Sequence, residues 1–402
     1  MLLTIAVAAC GGAHSMVAAG PGDGPFFVRG SHSTTVPFEL LDHHIYVAAE
    51  VDGKPVRMIV DTGGVDMLTP AAAKRLGITP AVTIPGAAMG TGGQRMDLGI
   101  VRAHALTLGG LTLARPLLYV IDPGSLRDAE SLEFDGLVGF DLLSLLAVRI
   151  DYDTRTLTLT EPATFSRPPD AIGVPFEFAD RTPIVHGAID GIPATFAIDT
   201  GAANSLTTTA HFTREHHLVD RYHPSVQTIT GWGVGGPSRS WVTRVHDVRV
   251  GDAVIRDVVT DLFTGDEGAF ADMDASANLG TGILKRFIVT FDYKAKVLYL
   301  EPGKEVARRD VYDRSGMTLV RDRAGFRVAA VLPQGPAAAA GIQEGDRIVA
   351  IDGAPATGRP LFEVEDLFCD ASPGTLVRLR VATSHDPHEA HDLSLTLAEL
   401  VP

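Results

Sequence analysis

The pentapeptide Val36-Pro37-Phe38-Glu39-Leu40 returns as Val174-Pro175-Phe176-Glu177-Phe178. Asp52-Gly53 and Pro55 return as Asp190-Gly191 and Pro193. Asp61-Thr62-Gly63 returns as Asp199-Thr200-Gly201, and Leu68-Thr69 as Leu206-Thr207. Each pair is 138 residues apart (174 − 36, 199 − 61, 206 − 68), so no gap falls between them. Farther on, Gly139 and Asp151-Tyr152 match Gly280 and Asp292-Tyr293 at an offset of 141 (280 − 139, 292 − 151), after a three-residue insertion. Each copy closes on an alternating run and Glu-Pro, at 161–162 and 301–302. A unit repeated this closely folds the same way twice. Two homologous lobes related by a pseudo-twofold axis are expected.

The length of 402 residues suits two or three domains. The chain is 45% apolar and 21% charged, enough to build a core and too apolar for bulk disorder. Within each copy, short alternating or apolar runs are broken by Gly, Pro and Asp, which is strand chemistry. Asp52-Gly53 and Asp190-Gly191 sit between two such runs and read as hairpin turns. A short helix is expected after each Asp-Thr-Gly, over Pro70 to Leu76 and Thr209 to His216. The expected organisation is a leader and linker over 1–29, lobes over 30–165 and 166–305, and a third domain over 306–402.

Both Asp-Thr-Gly triplets end an apolar run, Met58-Ile59-Val60 and Phe196-Ala197-Ile198. A carboxylate there is costly unless donors or a cleft satisfy it. The Thr hydroxyl can join a donor network. The Gly lets the backbone turn sharply and approach another chain closely. Two such loops about a pseudo-twofold axis put two carboxylates in one site. Such a pair shares a proton. The ionised member can take a proton from water while the protonated one polarises a carbonyl.

Val60-Asp61-Thr62-Gly63 and Ile198-Asp199-Thr200-Gly201, each followed by Leu-Thr, resemble the active-site loops of aspartic proteases. The short lobes and the Asp-Thr-Gly-Ala form of the second copy resemble the retropepsin-like branch, here in tandem in the two-lobed pepsin-like manner. The resemblance implies a mainly β fold of two acid-protease lobes forming a pseudo-twofold dimer. It implies that Asp61 and Asp199 are the catalytic pair and that Thr62 and Thr200 hold the loops together. It implies that Gly63 and Gly201 complete the loops and help position substrate. Leu137-Val138-Gly139 and Asn278-Leu279-Gly280 occupy the family's apolar-apolar-Gly element, the second with Asn at its start. Gly-rich flaps are implied over Met89, Gly90 and Gly92 in one lobe and over Trp232 and Gly233 in the other.

The stretch Gly335 to Gly353 resembles the core signature of bacterial PDZ domains, which implies a small α+β domain at the C-terminus. Pro336 starts a short Ala helix that Gly341 caps, and Gly345-Asp346 turns into the strand Arg347 to Ile351. Leu361 to Cys369 reads as an amphipathic helix with Cys369 in its core, and Thr375 to Ala382 and Leu393 to Leu397 as closing strands. PDZ domains bind peptides by adding a strand to an exposed edge. Gly316, Met317 and Thr318 are the peptide-binding candidates. Ser315-Gly316-Met317-Thr318 departs from the usual Gly-Leu-Gly-Phe loop, which argues against capture of a free C-terminus.

Met1 to Ala9 is an apolar run ending in small residues, as in a secretion signal. Val7-Ala8-Ala9-Cys10 resembles a bacterial lipobox, implying lipidation at Cys10. An exported, periplasmic or envelope-associated protein is expected, touching a membrane only through that anchor. The net charge of −15 argues against nucleic acid as a partner. Gly231 to Gly236 spells G-x-G-x-x-G, but no helix pattern follows and no dinucleotide site is expected. His43 and His44, and His211, His216 and His217, lack zinc spacing and are expected on solvated surface. No cofactor is expected. The expected activity is peptide-bond hydrolysis on protein or peptide substrates, by a protease unit complete as a monomer, with the PDZ domain recruiting substrate or regulating access. The competing expectation is an inactive peptide-binding scaffold that keeps the protease fold.

Overall fold

A computed structural model describes residues 5–6, 24–90, 94–124, 133–233, 236–385 and 389–402. Cys10 and Gly92 lie outside them.

Each lobe is built on one repeated hairpin. In the first, His44–Val51 and Lys54–Val60 pair antiparallel around Asp52-Gly53. In the second, Thr182–Ile189 and Ile192–Ile198 pair around Asp190-Gly191. All four turn residues have positive φ, from 46° to 79°. Two left-handed residues in a row match the twist of the strands they join, and Asp and Gly tolerate that region best. The repeated Asp also anchors the hairpin to its neighbour. Asp52 Oδ1 accepts the N–H groups of His104 and Ala105, at 2.7 and 2.9 Å. Asp190 accepts those of His246 and Asp247, at 3.2 and 2.7 Å.

The second hairpin strand runs into the interior. Met58, Ile59 and Val60 are fully buried, as are Phe196 and Ile198. A parallel strand lies beside each: Gly136–Val138 against Met58 to Val60, and Ala277–Leu279 against Phe196 to Ile198. The two registers are equivalent, Leu137 opposite Ile59 and Asn278 opposite Ala197.

The lobes meet through a shared antiparallel sheet. Ala147–Asp151 pairs with Phe287–Asp292, Arg149 standing opposite Thr290. These two residues are also repeat equivalents (290 − 149 = 141), so the pseudo-twofold axis passes between them, as in an isologous interface. One apolar core runs through both lobes, from Ile45 and Val60 to Ile198 and Phe291.

The helix Pro70–Leu76 follows the first triplet as the sequence predicts, with the Thr69 hydroxyl accepting the Ala72 N–H. Its counterpart is Ala210–Glu215, capped by Thr209. The cap has moved two residues beyond Thr207, the repeat partner of Thr69, so the gapless match ends at the strand.

The third domain is a sheet ordered Met317–Asp322, Gly325–Val331, Arg347–Ile351, Leu376–Ala382 and Ala390–Thr396, leaving Met317–Asp322 at its edge. The helix Leu361–Asp370 buries Leu361, Val364 and Phe368 against it. Cys369, expected in that core, is instead half-buried and lines a cavity, because the inward stripe falls on 361, 364 and 368. The domain is docked on lobe 2. Arg244 donates to the carbonyls of Asp310, Val401 and Pro402. Buried Arg286 pairs with Asp310, which also accepts the Val259 N–H.

Candidate active site

The two strand ends bring Asp61 and Asp199 together at the lobe interface, both with no exposed surface. The parallel neighbour sets each loop: Asp61 N–H donates to Val138 and Asp199 N–H to Leu279, at 2.9 and 3.1 Å. The Thr side chains then cross the axis. The Thr200 hydroxyl accepts the Thr62 N–H at 3.0 Å and donates to the Val60 carbonyl at 2.9 Å. The Thr62 hydroxyl accepts the Thr200 N–H at 3.0 Å and donates to the Ile198 carbonyl at 2.8 Å. These four bonds lock the loops in one relative position.

The glycines act by close approach. A Cβ on Gly201 would sit 2.4 Å from Asp61 Cγ, and one on Gly63 would sit 2.8 Å from Asp199 Cγ. Neither glycine has positive φ, so it is space for the partner's carboxylate that requires Gly here, and not a sharp turn. Their N–H groups donate within the loop, Gly63 to Asp61 Oδ1 and Gly201 to Asp199 Oδ1, both at 2.9 Å. Asp199 also accepts Asn278 Nδ2 at 3.0 Å on Oδ2. Burial, and next the Asp199 charge, push the Asp61 carboxyl well above the usual carboxylate range. Burial and then the Asp61 charge raise the Tyr293 hydroxyl.

Residues that sequence reasoning left aside surround the pair. His43 and His44 are no solvated surface: they stand at the turn into His44–Val51 and reach into lobe 2. The His44 ring donates from Nε2 to the Gly201 carbonyl at 3.1 Å. His43 donates from Nδ1 to the Ala203 carbonyl at 2.9 Å and accepts Lys285 Nζ at 2.9 Å. Burial lowers both imidazoles to about 3, so both are neutral. The equivalent turn of lobe 2 reaches back, with Arg181 3.5 Å from Asp141 and hydrogen-bonded to Tyr119 (181 − 43 = 138). Asp141 and Asp66 brace the first loop: Asp66 Oδ1 accepts the Gly139 N–H and Asp141 Oδ2 the Asp66 N–H, at 2.7 and 3.1 Å. The signal available in sequence was the repeat itself, which sets His43 against Arg181 and Asn278 against Leu137. By contrast, His211 is exposed beside Glu215 on its helix.

Met89 and Gly90 end the strand Val82–Gly90, their backbone opposite Ala6 and Ile5. Trp232 and Gly233 end Val226–Gly233, which pairs with Gly236–Val250. Trp232 is buried in an apolar cluster that includes Tyr46 and Met67 of lobe 1 and Val320 and Ala329 of the third domain. Asn204, just past the second triplet, donates to the Thr230 carbonyl on that strand and to Asp261.

In the third domain, the loop before the edge strand is already occupied. Asp313 Oδ1 accepts the N–H groups of Ser315 and Gly316, at 2.9 and 3.0 Å. The Ser315 hydroxyl accepts the Met317 N–H at 3.2 Å. The Thr318 hydroxyl meets that of Thr228 at 3.1 Å, on the strand Val226–Gly233 of lobe 2. A cavity of about 710 Å³ lies between Met317–Leu319, the helix face of Phe362, Glu365 and Cys369, and the lobe 2 wall of Asn204, Thr230 and Trp232.

Two carboxyl groups crossed over two Thr-locked loops, on two pseudo-symmetric β lobes, define an acid-protease fold of the retropepsin-like kind in tandem, followed by a PDZ domain. By sequence, residues 47–142 and 185–283 each match the aspartyl protease family, and residues 327–383 match the PDZ domain. The matched segments begin 138 and end 141 residues apart (185 − 47, 283 − 142), as the repeat does. No curated protein matches the chain. Among solved structures, a retropepsin-like aspartic protease from Rickettsia conorii is similar over 32% of this chain and 90% of that one, with 22% identity and a TM-score of 0.24.

Proposed function

We propose that this protein is an aspartic endopeptidase whose catalytic pair is Asp61 and Asp199. The observation that carries the reading is the crossed pair: each carboxyl lies against the glycine of the opposite loop, and one carboxyl is held protonated by burial beside the other. The ionised member takes a proton from water, whose oxygen bonds to the peptide carbonyl carbon. The protonated member gives its proton to the carbonyl oxygen. Collapse of the tetrahedral adduct breaks the C–N bond, the nitrogen takes a proton, and a carboxyl and an amine leave. Both carboxyls are buried, so substrate reaches them only when the flaps part, with Met89, Gly90, Trp232 and Gly233 as the moving rim. One chain supplies both aspartates, which supports a unit complete as a monomer. The apolar leader and Cys10 support export.

The PDZ domain is proposed to hold an extended internal segment of the substrate. What supports this is the shared cavity, in which the groove beside Met317–Leu319 faces Asn204 and Trp232. The N–H groups that would hold a terminal carboxylate serve Asp313 and Ser315 instead.

The test is cleavage of denatured protein and a peptide library from about pH 3 to 8, for wild type, Asp61→Asn and Asp199→Asn. Cleavage by wild type should vanish in both variants. A correctly folded wild type that cuts nothing, or a variant that stays fully active, removes the two-aspartate mechanism and leaves a peptide-binding protein.

A further inference from the structure

The pseudo-twofold symmetry of the pair is broken at a side chain that touches one of the two carboxyls. Asn278 and Leu137 hold equivalent places, each opposite the third residue before the triplet's Thr on a parallel neighbour strand. Leu137 is fully buried and has no donor to offer. Asn278 is 2% exposed and sends Nδ2 to Asp199 Oδ2 at 3.0 Å. Its Oδ1 has no hydrogen-bond partner among the described residues. Burying a half-satisfied amide costs stability, and at this place an apolar residue packs equally well, as Leu137 does in lobe 1. The amide therefore earns its position through the one bond it makes.

We infer that Asn278 is a positioning residue that makes the two aspartates unequal, holding Asp199 as the carboxylate and leaving the shared proton on Asp61. The inference rests on the proposed two-aspartate reading and assigns its roles: Asp199 takes the proton from water and Asp61 gives its proton to the carbonyl oxygen. An N–H donor favours the charged form of the carboxyl it touches and only that one. The other titratable groups around the pair do not repeat this bias. Tyr293 faces Asp61 with a hydroxyl that stays protonated. His44 is neutral, and its ring is committed to the Gly201 carbonyl. Asp66 is turned to the Gly139 N–H.

The test reads protonation directly, apart from cleavage. The full chain is labelled with ¹³C at the aspartate carboxyl carbons, and the Asp61 and Asp199 signals are assigned by their loss in Asp61→Asn and Asp199→Asn. Titration of wild type should show Asp199 ionised at a pH where Asp61 is still protonated. In Asn278→Leu the Asp199 midpoint should rise by about one to two pH units, the effect of one lost charge-assisted bond. The acid limb of kcat/KM should follow it. Adding Leu137→Asn to Asn278→Leu should move the lower midpoint to Asp61, which a packing role for Asn278 would not do. Asp61 found ionised first in wild type, or an Asp199 midpoint unmoved in a folded Asn278→Leu, overturns the inference. Absence of cleavage with these titrations intact would sink the protease reading and leave the role of Asn278 standing.

Discussion

Thr62 and Thr200 are the residues that make one site from two loops. Each hydroxyl takes a backbone N–H from the other lobe and gives its proton to a backbone carbonyl. Thr200→Val keeps the shape and leaves the Thr62 N–H and the Val60 carbonyl buried without partners. A loss of roughly 2–4 kcal/mol is expected in urea unfolding, from two unsatisfied groups at about 1–2 kcal/mol each. A Thr200→Val protein as stable as wild type would mean that the lobes are held by their shared sheet alone. Thr and Gly were legible as parts of the loop from its sequence. Their partners were not, because hydrogen bonds between residues 138 apart depend on where the axis falls.

Among the elements, the Tyr312–Thr318 segment decides what the PDZ groove can take. A loop that captures a C-terminus needs N–H groups to spare, and here Asp313 takes two and Ser315 the third. Peptides carried as free acids should therefore bind no tighter than the same peptides as C-terminal amides, measured on paired acid and amide arrays. Asp313→Ala should open the loop and create a preference for the acid. A strong acid preference in wild type would mean that Asp313 yields its place to the ligand. The repeated hairpin elements behave differently. Asp52 and Asp190 recur because they anchor turns, so repetition marked structural as well as chemical residues, and only the Asp-Thr-Gly context told them apart.

For the whole molecule, docking of the PDZ domain encloses Asp42, Asp261 and Asp313 around the shared cavity. Asp261 is raised to about 7 by burial, which outweighs the Asn204 donor. Unfolded, it titrates near 3.8. Up to about pH 7 the native protein keeps a proton that the unfolded chain has released. This contribution to stability is whole below about pH 3.8 and is lost as pH rises toward about 7. Asp42 and Asp313, each raised to about 6 mainly by burial, carry the same sign. His43 and His44, lowered to about 3, oppose it between that value and about 6.5. Asp261→Asn should flatten the pH dependence of Tm between about pH 4 and 7. An unchanged slope in calorimetry would remove Asp261 from the account.

The sequence by itself determined the two lobes, the triplets, the hairpins and the PDZ domain. Each of these rests on local pattern or on repetition, and both survive in one dimension: alternation makes strands, Asp-Gly makes the turn, and the 138-residue offset makes the axis. Only the tertiary structure decided that Gly201 is small for the sake of Asp61, that His44 holds the Gly201 carbonyl, and that Asn278 serves Asp199. It alone set the PDZ groove facing Trp232. These are contacts between segments far apart in the chain, and a side chain's partner is fixed only when burial forces distant polar groups to satisfy one another. Asn278 showed in sequence as one departure from an apolar pattern, and its place in the fold gave that departure a donor, an acceptor and a direction.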